Sequence, residues 1–453
     1  MTIHAVADTP PPSVSPVAEG PAVLPLLALT ACTALGGLSS SSITAAAPVL
    51  VGGMHSSWTV PSYFLGAGLS AVTGGRLADL VGPRRVAAAG LAVVVLTSLA
   101  SAAASTGMFL SATRFVLGAA TAILFPAAVV LIRRLRTSGP AQVAGLAAIS
   151  LATEAAFAAG PSLGSILIEL GGWRLVVLAP IPLAALAAVL LKVTLPPDPL
   201  PAQRDPLLRR LDPLGLLLLG AAAGATLAAL QHPGPSSLII GLTGAAIIVA
   251  VLVTWERRAR HALFPPAVLT RRLSAVYVRA VAYYGGLYSL TLIIPIWLVN
   301  TRELPAGQVA LVMAGLPVTT VLSCLVTPAL IARSGLRAPL LAGTAALATA
   351  AGILATAGEQ TPLITLAAGA ALCGIPAGLV NVAQQTTLVR AAPAAATGAC
   401  SGLYGVLQLL TGAVAALVPT LGTAAVVAAA CCVALAVTTL ADRSLNAELP
   451  ESS

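Results

Sequence analysis

The chain has 453 residues, of which 58% are hydrophobic and only 8% charged, and its formal net charge is +9. A soluble globular protein carries roughly 25% charged residues, so this composition cannot cover an aqueous surface, and a bilayer is the solvent that tolerates it. Soluble enzyme, nucleic-acid binder and secreted disulfide scaffold are thereby excluded. Residues 1–20 are proline-rich, hold no Lys or Arg, and read as a disordered cytoplasmic tail. A secretory signal needs a basic start and an early apolar core, so the first helix is expected to act as its own insertion signal.

From Pro21 onward, apolar stretches alternate with Arg, Gly and Pro clusters. They predict fourteen spans, at 22–47, 56–79, 85–106, 108–132, 142–168, 175–195, 212–231, 236–255, 273–299, 306–332, 337–357, 361–388, 395–421 and 423–441. Each span needs about 20 apolar residues, which leaves short loops and no sizeable aqueous domain. The expected fold class is an all-α membrane protein. Its order is a six-helix bundle at 21–195, a cytoplasmic linker at 196–211, two inserted helices at 212–258, a second six-helix bundle at 273–441 and a cytoplasmic tail at 442–453.

The basic residues test this division. With a cytoplasmic N-terminus, the cytoplasmic loops hold Arg76, Arg84, Arg85, Arg133, Arg134, Arg136, Lys192, Arg204, Arg209, Arg210, Arg257, Arg258, Arg260, Arg271, Arg272, Arg333, Arg337, Arg390 and Arg443. The opposite side holds Arg174 and Arg302, and Arg114 and Arg279 fall inside spans. That bias is the positive-inside pattern, and an odd number of spans in either half would destroy it. The net charge therefore marks topology: both termini cytoplasmic, the cell membrane as location, and anionic inner-leaflet lipid as partner. The cysteines Cys32, Cys324, Cys373, Cys400, Cys431 and Cys432 sit in apolar runs without metal-ligand spacing. They read as packing residues, and no metal or cofactor is expected.

An internal repeat follows. Gly75-Arg76-Leu77-Ala78-Asp79-Leu80-Val81-Gly82-Pro83-Arg84-Arg85 joins the second and third spans, and Pro328–Arg337 joins the tenth and eleventh. Gly82 aligns with Gly335, Leu77 with Leu330 and Arg84 with Arg337, while Asp79 has no acidic counterpart. Duplicated halves of this kind place a substrate site at the midplane between them.

These residues resemble the signature loop of the major facilitator superfamily. Arg114-Phe115-Val116-Leu117-Gly118 is similar to that family's fourth-helix motif, with Leu117 in place of Gln. Gly160-Pro161-Ser162-Leu163-Gly164 resembles the fifth-helix motif of its antiporters. Gly172-Trp173-Arg174, Leu211–Gly215 and Trp255-Glu256-Arg257 are similar to the fourteen-span drug:proton antiporter branch. One departure matters: the first-helix Asp of that branch is replaced by Ser39, so no first-helix carboxylate carries coupling.

Each motif has a physical reading. Gly75 and Gly82 let the loop turn tightly, and Asp79 is expected to pair with Arg84 or Arg85, or to cap a neighbouring helix N-terminus, as a gating latch, against the alternative of a solvated topological loop. Gly160 and Gly164 share one face suited to close helix contact, and Pro161 removes a backbone bond. Glu154 alone among the fourteen acidic residues lies deep in a span. An ionised carboxylate there costs several kcal/mol, which suits a group that takes up and releases a proton. The alternative is a permanently neutral, hydrogen-bonded structural residue. The equivalent depth in the repeat carries neutral Gln408. Arg114 has three open uses: pairing with Glu154, binding an anionic substrate, or supporting kinked carbonyls. The resemblance implies proton coupling for it. Arg279 reads as snorkelling to the interface.

The resemblance further implies a cavity lined by spans 1, 4, 9 and 12. Ser39, Ser41, Tyr283, Tyr284, Tyr288, Asn381, Gln384 and Gln385 gather there, joined by Gln408. Aromatic faces with a few amides suit an amphipathic organic ligand. The expected function is export of a small amphipathic organic compound by proton antiport with alternating access, in a monomer that is not an enzyme. The alternatives are a uniporter or importer on the same scaffold, a non-transporting receptor or scaffold, and, disfavoured by the lack of a catalytic cluster, a membrane hydrolase.

Overall fold

A computed structural model describes residues 23–47, 50, 57–135, 140–198, 212–231, 234–259, 263–264, 268–393, 397–442 and 445. The expected tail at 1–20 lies outside these residues, as do most of the linker and of the tail after 442. All regular structure among the described residues is helical. In chain order the helices are α1 Val23–Ala46, α2 Thr59–Val81, α3 Pro83–Ala102, α4 Gly107–Leu135, α5 Pro140–Gly171, α6 Trp173–Thr194 and α7 Pro213–Gln231. There follow α8 Pro235–Glu256, α9 Arg271–Asn300, α10 Ala306–Ser334, α11 Arg337–Ala355, α12 Leu363–Ala391, α13 Thr397–Ala415 and α14 Leu421–Ala441.

Twelve of them are long and apolar enough to cross a membrane. The remaining two are α2, of 23 residues, and α13, of 19. A 19-residue helix is about 28 Å long, so composition sets α2 apart, while in α13 the described apolar stretch is the shorter Ala399–Ala415. These two helices pack along each other, with Gly68 against Leu410 and Gly412 against Phe64. A helix that faces protein needs less apolar surface than one that faces lipid.

Proline accounts for the breaks. α4 is interrupted at Ile123, α6 at Ala179 and α10 at Ala314, each one to three residues before Pro126, Pro180 or Pro317. A proline cannot donate to the carbonyl four residues back and crowds the preceding turn. Pro161, Pro295, Pro328 and Pro376 lie inside continuous helix.

The first six and last six helices repeat one set of pairings. α1 packs on α5 and α6, α2 on α4, and α3 on α4 and α6; likewise α9 packs on α13 and α14, α10 on α12, and α11 on α12 and α14. The repeat also recurs at its hairpins. Gly82 ends α2 at φ +108° and Gly335 ends α10 at φ +71°, the left-handed region that glycine tolerates. The Gly82 amide donates to the Ala78 carbonyl (3.1 Å) and the Gly335 amide to that of Ile331 (2.9 Å). α7 and α8 pair with each other, and α7 also rests on α2 and α13. α9 is the most buried helix and α8 the least.

Small residues set how closely the backbones approach. A side chain on Gly37 would collide with the Thr153 carbonyl and come within 2.7 Å of the Phe157 amide; one on Gly160 or Gly164 would collide with Ser41 or Ser42. Such contacts substitute for the missing hydrophobic drive between helices in lipid. Gly37→Ala is therefore expected to lower the unfolding midpoint of the detergent-solubilised protein by the equivalent of about 1–3 kcal/mol. Gly36→Ala, whose added methyl meets nothing within 4 Å, should leave it unchanged or slightly raised. Equal effects from the two substitutions would contradict this packing.

Candidate functional site

The α1–α5 contact decides where Glu154 points. With Gly37, Gly160 and Gly164 against α1, the Ser41 hydroxyl donates to the Phe157 carbonyl (2.6 Å) and the Thr33 hydroxyl to that of Ile149 (3.1 Å). Ser41 is thereby committed to helix packing. About a quarter-turn round α5 from this contact, Glu154, itself 8% exposed, faces α9 and α12. There the Asn381 amide Nδ2 donates to Glu154 Oε1 at 2.7 Å, and the Tyr284 hydroxyl donates to Asn381 Oδ1 at 3.0 Å. A buried carboxyl among apolar groups demands such a partner.

Aromatic rings enclose this pair. Tyr284 lies tilted against Tyr283 at 4.5 Å and Tyr288 at 5.2 Å between centroids, and meets Tyr404 edge-on at 6.0 Å. Phe157 lies 4.9 Å and Phe64 5.7 Å from Tyr288. Gln408 Nε2 donates to the Tyr288 hydroxyl at 3.0 Å. Gln384 and the Tyr283 hydroxyl are buried and carry polar atoms without a hydrogen-bond partner, which leaves unmet capacity for water or a ligand at this face. Gln385, one position along from Gln384, is half-buried and takes no part in these bonds. Four of the chain's six tyrosines thus converge on one acid.

Arg114 on α4 is buried as well, at 2% exposure. Its Nη2 donates to the Ser39 carbonyl at 2.7 Å, and its guanidinium lies 4.6 Å over the Tyr63 ring. The Tyr63 hydroxyl in turn meets the Gly36 carbonyl (2.9 Å) and the Thr121 hydroxyl (2.7 Å). Of the three uses open to Arg114, the geometry is that of backbone support on α1, next to its 3₁₀-helical stretch Ser42–Ala46. The Ser39 hydroxyl has no partner.

The loop between α2 and α3 is pinned by an acid the motif reading missed. The Asp79 side chain lies outside the described residues. Arg84 Nη2 donates to the Lys192 carbonyl (2.9 Å), while the Arg85 amide donates to Asp198 Oδ2 (2.8 Å). Arg134 Nη1 forms an ion pair with Asp198 Oδ1 at 3.1 Å. Asp198 therefore caps the N-terminus of α3 and ties it to the ends of α4 and α6. Its carboxylate lies against Gly82, where an added Cβ would meet its Oδ2 at 2.5 Å; Gly75 has open space around it. The signal available in the sequence was an acid flanked by prolines directly after the sixth span.

One expectation needs correction. Arg279 does not snorkel: it is fully buried, and its Nη1 pairs with Asp442 Oδ2 at 2.8 Å at the end of α14. Removing either partner of such a buried pair would leave the other charge uncompensated. Among the described residues no group of His, Cys, Asp and Glu could hold a metal ion.

Helices that cross a membrane, arranged as two like sets around a buried polar centre, define a multi-span membrane transporter. The Major Facilitator Superfamily model matches residues 29–416, and the chain belongs to that family; it is a transporter and not an enzyme. It is 27% identical over 395 residues to the uncharacterized MFS-type transporter YwoD of Bacillus subtilis, covering 85% of this chain and 86% of the relative. It is 27% identical over 362 residues to the lincomycin resistance protein of Streptomyces lincolnensis, covering 79% and 74%. A cephamycin export protein, CmcT of Amycolatopsis lactamdurans, is 34% identical over 218 residues, 46% of this chain and 44% of that one. The fold is similar to that of a point mutant of the nucleoside transporter NupG, with TM-score 0.61, 15% identity, and 92% and 99% of the two chains covered.

The capping role of Asp198 has a direct consequence. Asp198→Ala should lower the unfolding midpoint by the equivalent of about 0.5–2 kcal/mol, the usual cost of a lost helix cap. Arg134→Ala should cost less, because that side chain is 43% exposed and exposed ion pairs contribute little. The reverse order would contradict the cap.

Proposed function

We propose that the chain exports a small amphipathic organic compound in exchange for protons, with Glu154 as the acid that alternates between them. The observation that carries this reading is a buried carboxyl held from α5 to α12 at the meeting of the first and last six helices. A proton on Glu154 removes the cost of burying its charge, and its removal makes the site anionic within a cluster of tyrosine and phenylalanine rings. Such a centre accommodates rings and apolar bodies with a few polar anchors. Exposed outward, Glu154 takes up a proton and releases cargo; exposed inward, it gives the proton up.

In this reading the bundles at 21–195 and 273–441 rock about the centre. Within the inserted pair at 212–258, α7 lies beside α2, and the described Gly75–Arg85 segment, fixed through Asp198, belongs to the gating end. The protein spans the cell membrane fourteen times as a monomer with both termini cytoplasmic, in the drug:proton antiporter branch. The basic residues of the loops, the two additional helices α2 and α13, and relatives described as a lincomycin resistance protein, a cephamycin export protein and a tetracenomycin C resistance and export protein support this.

In proteoliposomes loaded with a pH dye, a panel of antibiotics should elicit compound-dependent proton flux from the wild type. Glu154→Gln should lose at least about a hundredfold of that flux, the scale of removing a positioned acid–base group. Unchanged flux in Glu154→Gln dismisses the assignment. Downhill movement of compound indifferent to the proton gradient in the wild type would instead mark a uniporter.

A further inference from the structure

Resting on the reading of Glu154 as the coupling acid, we propose that Asn381 is the positioning residue that makes the contact between the two helical sets depend on that acid's proton. The placement of its amide carries the argument. Asn381 is 5% exposed on α12; its Nδ2 faces Glu154 on α5 at 2.7 Å, and its Oδ1 receives the Tyr284 hydroxyl of α9 at 3.0 Å. With the oxygen engaged by Tyr284, the amide presents only a donor to Glu154. A carboxylate accepts that donor in a charge-assisted bond. A protonated acid accepts more weakly through its carbonyl, or sets its own O–H against the amide N–H and makes no bond.

Because Glu154 belongs to the first six helices and Asn381 to the last six, this one bond strengthens their contact when the proton leaves and weakens it when the proton arrives. Tyr284 carries the same change into the ring cluster through its contacts with Tyr283 and Tyr288. The groups that bear electrostatically on Glu154 are Tyr283, Tyr284 and Tyr288 of α9, Cys324 of α10 and Tyr404 of α13. Phenols and thiols ordinarily titrate at about 10 and about 8.5, and Arg114 on α4 is engaged by Ser39 and Tyr63. Among the described residues Glu154 is the carboxyl of this centre, and it is the group whose proton the inference follows.

The test uses the full chain in lipid nanodiscs, with a fluorophore pair introduced through unnatural amino acids at Ala144 of α5 and Val389 of α12. Between mildly alkaline and mildly acidic pH, energy transfer in the wild type should report a shift of about fivefold or more in the ratio of two arrangements, the scale of exchanging a charged for a neutral hydrogen bond. Asn381→Leu should abolish the shift while infrared spectroscopy still records protonation of Glu154. Tyr284→Phe, which frees the amide to turn, should diminish it and serves if Asn381→Leu does not fold. A wild-type shift retained in Asn381→Leu, or in Tyr284→Phe if that variant alone folds, overturns the inference and leaves Glu154 in its role. A shift retained in Glu154→Gln removes the coupling acid itself.

Discussion

A carboxyl group placed where neither water nor lipid can solvate it is the constraint around which this molecule is arranged. Charge at that depth costs several kcal/mol, so Glu154 needs a donor at short range and a surrounding that tolerates both its states. The helices supply these from separate places. Glycines on α1 and α5 let those backbones touch, which turns Glu154 away from α1. The most buried helix, α9, brings its tyrosines, and α12 brings the amide.

The repeat is used asymmetrically. Matched pairings of α1–α6 and α9–α14 build two similar frames, yet the acid sits in one frame, and at similar depth the other has Gln408 bonded to Tyr288. Two buried arginines differ in the same way. Arg114 is met by a backbone carbonyl and an aromatic face, whereas Arg279 is met by the carboxylate of Asp442. The first leaves α1 supported without introducing a second acid near Glu154, and the second fastens α9 to α14. Asp198 fastens the ends of α3, α4 and α6 in the first frame.

Much of the frame was legible from residue order, because helix length in a bilayer is set by hydrocarbon thickness and basic residues sort by side. The helices expected at 56–79 and 395–421 are present as α2 and α13, but α2 is less apolar where it packs on protein, and the described apolar stretch of α13 is the shorter Ala399–Ala415. Glu154 stood out because an isolated acid in an apolar run is rare on energetic grounds. Tyr284 and Asn381 were expected together in a cavity only through the resemblance; nothing in their spacing says that they and Tyr404, on three helices far apart in the chain, gather around this carboxyl. Arg279 misled for the same reason, since its counter-charge, Asp442, is 163 residues away. Ser41 looked like cavity lining and is held in a helix contact. Long-range juxtaposition, rather than local pattern, decides each of these.

The central claim is that one proton and the transported compound compete for the state of one acid. It is tested most directly by counting protons released when a transported compound binds the purified protein in weakly buffered solution. The account predicts about one proton per bound molecule, as expected for a single linked site, and none from Glu154→Gln although that variant still binds. Binding without proton release in the wild type, or equal release from the variant, would contradict it.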